Sequence, residues 1–245
     1  MLYLLKRHPI PIVAFFRHAL VLTYAFPPEL LAPLLPEGLV LDTWRGHAFL
    51  AVALVQTEEL RPSFLPATMG HTFFLSGYRI FTRLTNGHSL RGLRILRSDT
   101  DHRVMVWAGN LLTHYNYSLC KANVEEQSGQ LRWTVHTTDG VADLDVSANV
   151  AGGAELPAGS PFASLNEARR FAGPLPYTFD YEPETRSIIA IRAVRPEWNP
   201  QPVAVMVRRC AFLESEPFSR AEPMLANAFY VHDVPYRWER GRRAA

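Results

Sequence analysis

The chain has 245 residues, 48% of them hydrophobic and 20% charged, with a formal net charge of +2. That length and apolar content suffice for one well-packed domain, or for one domain with a C-terminal elaboration. The near-neutral balance gives no electrostatic reason to expect nucleic acid or an acidic partner.

The opening residues place Lys6 and Arg7 after an apolar run, the reverse of a secretory leader, and no apolar run reaches the roughly 20 residues of a spanning helix. Cys120 and Cys210 have no CxxC or His spacing and are expected to be buried reduced thiols of a cytoplasmic protein without a membrane partner. Beyond the N-terminus the dominant period is two. Strands are predicted over 15–24, 47–56, 72–84, 90–96, 117–124, 131–137, 144–150, 187–194 and 203–209, all rich in Val, Ile, Leu, Phe and Thr. Three helical patterns interrupt them. The first, 28–35, has Pro28 in its first turn and Pro36 as its stop. The second, 103–113, takes its cap from Asp99 to Asp101 and places Val104, Trp107, Ala108 and Leu111 on one buried face. The third, 164–171, starts on Ser164 with Glu167 at the capping-box position. Asn86-Gly87 is a hairpin signal, the turn formers between Gly152 and Pro161 mark a candidate internal seam, and the basic tail beyond Glu239 is expected to fray.

Three stretches carry a family resemblance: Arg17-His-Ala-Leu-Val-Leu-Thr-Tyr24, then Pro28-Glu-Leu-Leu-Ala-Pro-Leu-Leu-Pro-Glu-Gly-Leu39, and finally Leu96-Arg-Ser-Asp-Thr-Asp101 with the apolar helix behind it and the turn Thr113-His-Tyr-Asn-Tyr-Ser118. In these the chain resembles the acetoacetate-decarboxylase-like superfamily, and most closely its uncharacterised branch. The resemblance implies a mainly β fold with a few short helices, a cone-shaped β-barrel, in which strands after the seam complete the same domain over 1–245. In the decarboxylases the last turn ends in Pro-Lys-Lys, and the first lysine forms a Schiff base with the keto acid. Laid on this chain without a gap, Asn116 and Tyr117 take the places of the two lysines. A Schiff base needs a primary amine that is neutral near pH 7, which neither an amide nor a phenol supplies. The nearest amine, Lys121, is five residues on, an odd offset that sends it to the other face of an extended segment. The strand over 48–57 also lacks the acids that the decarboxylases carry in this region, with Glu58 and Glu59 only beyond its end. The resemblance therefore implies the scaffold without acetoacetate decarboxylase activity.

By the same resemblance Arg17 matches an active-site arginine and becomes the candidate anchor for a ligand carboxylate, since a planar guanidinium binds two oxygens at once; read alone, it is a surface arginine at a strand start. His114 and Tyr117 are the catalytic candidates, one as a proton shuttle and the other as a donor to an enolate, and Arg17, His114, Asn116 and Tyr117 together are the candidate ligand-binding residues. The competing reading has the turn satisfy the helix C-terminus and fill space. From Leu60 to Ser98 there is no Asp or Glu, while Arg61, Arg79, Arg83, Arg91, Arg94 and Arg97 recur. Alternation puts Arg79, Phe81 and Arg83 on one side, and Arg91 and Arg97 with Leu93 and Ile95 opposite Arg94. Such a split favours a surface or interface neutralised by carboxylates from elsewhere over an anion pocket. No phosphate-binding loop, dinucleotide fingerprint, nucleophile elbow, RNA-binding motif or metal-ligand spacing occurs, so neither a cofactor nor a metal is expected. Three functions remain: a binding protein for a small anionic or partly apolar organic acid, an enzyme that stabilises an enolate or oxyanion without covalent catalysis, and a structural subunit forming a homo-oligomer.

Overall fold

The computed structural model of the chain describes residues 2–85, 90–173 and 175–244; the Asn86-Gly87 hairpin signal lies outside the described residues. The strands are β1 (Ile12–Phe26), β2 (Leu39–Leu41), β3 (Ala48–Pro62), β4 (His71–Leu84), β5 (Arg91–Thr100), β6 (Tyr117–Gln127), β7 (Gln130–Thr137), β8 (Leu144–Asn149), β9 (Tyr177–Glu182), β10 (Ser187–Val194), β11 (Gln201–Pro202), β12 (Ala204–Cys210), β13 (Met224–Trp238) and β14 (Arg242–Arg243). The helices are α1 (Pro28–Leu31), α2 (Arg103–Leu112), α3 (Leu165–Ala172) and α4 (Ala211–Glu214).

Pairing of β1 with β3, β3 with β4, β4 with β5, β5 with β9, β9 with β10, β10 with β13 and β13 with β1 closes the sheet on itself. The result is a β-barrel of the expected kind. A parallel pairing of Ser98–Thr100 with Tyr117–Leu119 carries the chain into a second antiparallel sheet, β6-β7-β8-β12. The segment 152–161 holds no helix or strand, and strands before and after it pair with one another, β8 with β12 and β1 with β13.

The two-residue period sorts side chains between two environments. Leu20, Leu22 and Tyr24 of β1, Leu50, Val52 and Leu54 of β3, and Tyr78 and Ile80 of β4 pack against Leu131, Trp133, Val135, Leu144 and Val146 of the second sheet. Each such fully buried side chain contributes about 1.5–3 kcal/mol relative to exposure. Because this principal core lies between the two sheets, the inside of the barrel can stay open. The alternate residues Ala19, Ala51 and Ala53 are small and line a cavity there.

The helices depart from the sequence reading in informative ways. Helix α1 lasts one turn and tightens into a 3-10 turn over Ala32–Leu34, because Pro33 has no N–H to continue the α-helical ladder. Helix α3 follows its capping signal, with the Ser164 hydroxyl accepting from Glu167 N, and buries Ala168, Phe171 and Ala172 among Phe49, Phe81 and Phe162. Helix α2 is capped by His102, whose Nδ1 accepts from Met105 N, and not by the aspartates. Asp99 and Asp101 turn back to the barrel, to Arg97 and to Phe74 N. The helix is also rotated from the expected face: Met105, Ala108, Gly109 and Leu112 face the cavity with Val104 at its rim, and Val104 is 55% and Trp107 68% exposed. Trp107→Ala should therefore change stability by less than about 0.5 kcal/mol in urea melts, as surface substitutions do. A loss of several kcal/mol would restore the buried-face reading.

Candidate functional site

A cavity of about 310 Å³ occupies the barrel interior, lined by β1, β3, β4, β5 and β13, by α2 along one side, by Ala172, Gly173, Leu175 and Thr178, and by Arg195, Trp198 and Pro200. Its walls are apolar apart from a few groups, and no Asp, Glu or Lys lines it among the described residues. The chain's two lysines lie elsewhere: Lys6 sits in the N-terminal 3-10 turn and Lys121 is exposed on β6.

The polar centre of the cavity is Arg79. On β4 it shares the inward face with Phe73, Leu75 and Phe81, and the residue two before it is Gly77, where a Cβ would come within 2.9 Å of Arg79 Nε. Glycine there gives the guanidinium room to lie along the strand. Among the described residues Arg79 Nε has no hydrogen-bond partner and no carboxylate pairs with it, and burial pulls its pKa down. What accessible surface it keeps opens on the cavity. The other arginines of the acid-free segment are neutralised: Arg83 and Arg91 by the buried Asp42, Arg94 by Asp180, Arg97 by Asp99 and Asp139, and Arg61 by Glu59. A bulge on β5 opposite the Tyr78–Arg79 step takes Arg97 off the face of Ile95, against the simple alternation expected for it.

Three phenols surround Arg79. Tyr115 and Tyr117 follow α2, and Tyr236 lies on β13. Local chemistry positions the first two. Asn110 holds the Tyr117 backbone through both its amide groups, Nδ2 donating to Tyr117 O and Oδ1 accepting from Tyr117 N, each at 2.8 Å. Gly109 gives the Tyr117 ring its place, since a Cβ there would lie 2.3 Å from it. The Thr113 hydroxyl donates to Gly109 O and accepts from Tyr115 N. Burial pushes the Tyr117 phenol up to about 12 and raises that of Tyr115 well above the ordinary phenol value, so both are protonated donors at neutral pH. The Tyr115 hydroxyl has no hydrogen-bond partner among the described residues. Arg195 completes the polar lining, with Nη2 on Leu175 O at 2.6 Å, Nη1 toward Tyr236 Oη at 3.4 Å, and its guanidinium stacked on Trp198.

Of the four candidates read from the sequence, Tyr117 lines this cavity and the other three do not. Arg17 is the extra residue of a bulge in β1 opposite β3, between Phe16 and His18. Phe16 points inward, and Arg17 turns to the outer surface, where it pairs with Glu58 and Asp233. Asn116 takes a left-handed conformation, φ +54°, that asparagine tolerates, and is exposed with Nδ2 toward Leu96 O. His114 is held outside the lining by Asp180, which accepts from His114 N at 2.9 Å and contacts its Nδ1 at 3.1 Å. Arg79, Arg195, Tyr115 and Tyr236 were not singled out as site residues. The available signal was Gly77-x-Arg79 on a strand face otherwise made of Phe and Leu, since an arginine alternating with large apolar residues faces a core or a cavity. Among the described residues no cluster of three or more His, Cys, Asp or Glu is placed to hold a metal ion, and no helix is long and apolar enough to cross a membrane.

At the cavity edge, His8 is buried with Nδ1 unpartnered, and burial lowers its pKa. The unfolded chain then takes up this proton more readily than the folded one, so stability should fall as pH drops below the ordinary value of about 6.5. His18, lowered mainly by burial too, acts in the same direction. Urea melts between pH 7 and 5.5 should show this loss, smaller in His8→Asn; an identical slope in the variant would mean that His8 is protonated in the fold.

A barrel with these helices and this cavity defines the acetoacetate-decarboxylase-like fold. The acetoacetate decarboxylase of Legionella pneumophila superposes with a TM-score of 0.65 at 12% identity, over 97% of this chain and 88% of that one. The enduracididine biosynthesis enzyme MppR, complexed with the condensation product of pyruvate and imidazole 4-carboxaldehyde, gives 0.64 at 12% identity over 96% and 89%. An acetoacetate decarboxylase-like enzyme from Sphingomonas wittichii RW1 gives 0.60 at 14% identity over 98% and 94%. At such identities the likeness is one of fold. In sequence, the model of DUF2071, described as an uncharacterized conserved protein, matches residues 14–235, and the chain belongs to this family. No curated protein matches the sequence.

Proposed function

We propose that the protein binds a small organic acid inside the barrel, its carboxylate on Arg79 and its hydrocarbon part against the apolar walls, without Schiff-base chemistry. The observation that carries this reading is a guanidinium enclosed in an apolar cavity with no carboxylate of its own. Taking such a charge out of water costs several kcal/mol, and an anion that enters the cavity offsets that cost with charge-assisted hydrogen bonds of about 1.5–3 kcal/mol each. MppR has been solved with pyruvate, so a barrel of this fold accommodates a small keto acid. The buried free thiols Cys120 and Cys210 fit a reducing compartment, and we place the protein in the cytoplasm on that basis.

Two measurements test the reading. Calorimetric titration with carboxylic acids and their methyl esters should show binding of the acids alone; equal affinity for acid and ester would remove Arg79 from recognition. Incubation with acetoacetate and borohydride, followed by intact mass, should show no adduct. A stoichiometric adduct on Lys6 or Lys121 would establish imine chemistry and overturn that part of the proposal.

One observation favours a second reading: the protonated Tyr115 and Tyr117 phenols beside Arg79 are the donors an enolate oxygen requires. With His114 held on Asp180, the proton shuttle of that reading would have to be another histidine of the lining. Exchange of α-protons of a bound keto acid into deuterated water, followed by NMR, distinguishes catalysis from binding. The oligomer-forming reading finds no support in the arginine-rich segment, whose charges are turned into the cavity or paired within the chain.

A further inference from the structure

We infer that the natural ligand is a dianion, a dicarboxylate whose two acidic groups are separated by hydrocarbon, with one carboxylate on Arg79 and the other on Arg195. The inference rests on the carboxylate reading of Arg79 and deepens it. Both guanidiniums line the same cavity, and among the described residues neither has a carboxylate partner. Arg195 is built in. The Leu175 carbonyl fixes one terminal nitrogen, the Tyr236 hydroxyl lies 3.4 Å from the other, and the Trp198 and Tyr236 rings flank the guanidinium at 5.3 and 5.4 Å. Tyr236 is itself stacked on Phe16 and packed against Trp238, so the Arg195 guanidinium rests on a packed aromatic cluster. A guanidinium has five N–H donors, and these contacts leave donors over for a ligand.

Charge balance sets the ligand class. Two cations of like sign repel within a cavity whose described lining contains no Asp or Glu, and Arg195 adds to the lowering of the Arg79 pKa. A monocarboxylate neutralises one of them and leaves the other facing apolar walls; a dicarboxylate neutralises both. Most of the shared lining is apolar, Phe16, Ala19, Ala53 and Val55 among it, and such walls favour a hydrocarbon link between the two carboxylates.

The test compares α,ω-dicarboxylates with their own monomethyl esters, which have nearly the same length and shape, by calorimetric titration against wild type, Arg195→Met, Arg195→Lys and Arg79→Met at fixed ionic strength. Wild type should bind a dicarboxylate of matching length at least about tenfold more tightly than its monomethyl ester. Arg195→Met should bring the diacid down to the affinity of the half-ester, with Arg195→Lys in between, and Arg79→Met should weaken both compounds. Equal wild-type affinity for diacid and half-ester across the series would overturn the dianion inference while leaving the monocarboxylate reading standing. Binding of neither compound would overturn both. The wild-type comparison decides the matter even if an Arg195 variant fails to fold.

Discussion

Arg79→Met is expected to stabilise the unliganded protein by about 1–4 kcal/mol while lowering its affinity for organic acids at least about tenfold. The two effects have one cause. The guanidinium is enclosed, its Nε lacks a partner and no described carboxylate compensates it, so in the empty protein it is a desolvated charge. Methionine fills a similar volume with a flexible apolar chain and removes that penalty. Water inside the cavity tempers the gain and sets the lower end of the range. Binding loses the charge-assisted hydrogen bonds to the ligand, worth 1.4 kcal/mol or more, which is a decade in affinity. Such an exchange of stability for function is common at ligand sites. Urea melts and titrations on the same preparation measure both; a variant less stable than wild type would show that Arg79 is satisfied by its surroundings and has a structural role.

Asp42→Ala should destabilise the fold by about 3–5 kcal/mol, the range for removing one member of a buried ion pair. Its carboxylate is fully buried and accepts from Arg83 Nε at 2.5 Å and from Arg91 Nε at 2.6 Å. Arg91 also donates to Phe171 O and stacks on the Phe171 ring, which joins β4, β5 and α3 at one end of the barrel. Without the carboxylate two guanidiniums face each other. Arg91→Met in the Asp42→Ala background should recover part of the loss, because it removes that repulsion, and a double-mutant cycle isolates the coupling. A loss below about 1 kcal/mol would mean that solvent screens the cluster, since Arg83 and Arg91 are both partly exposed.

Most strands were legible from alternation, because one side of the barrel wall meets the second sheet and the other meets the cavity. The exceptions have physical reasons. In β13 the residues from Ala226 to Val231 are buried on both faces, which erases alternation, and Pro235 argues against a strand until its place is known. β9 is only six residues long. In α2 two stripes one residue apart are both apolar, and periodicity cannot choose between them; packing against the barrel chose the one with Gly109, where the Tyr117 ring needs the space.

What the sequence determined by itself was local: the β-rich pattern, the α3 cap at Ser164 and the absence of an amine between Thr113 and Ser118. Each depends on near neighbours or on composition. The site was decided by tertiary structure. A single-residue bulge in β1 sent Arg17 outward, and Asp180, 66 residues away in sequence, took His114 out of the lining. Asp42, Asp99, Asp139 and Asp180 neutralised the arginines that flank Arg79 in sequence and left it without a described carboxylate partner. A bulge reverses the facing of every residue beyond it, and a charge is defined by partners that arrive from distant strands; neither is encoded in the residue's own segment.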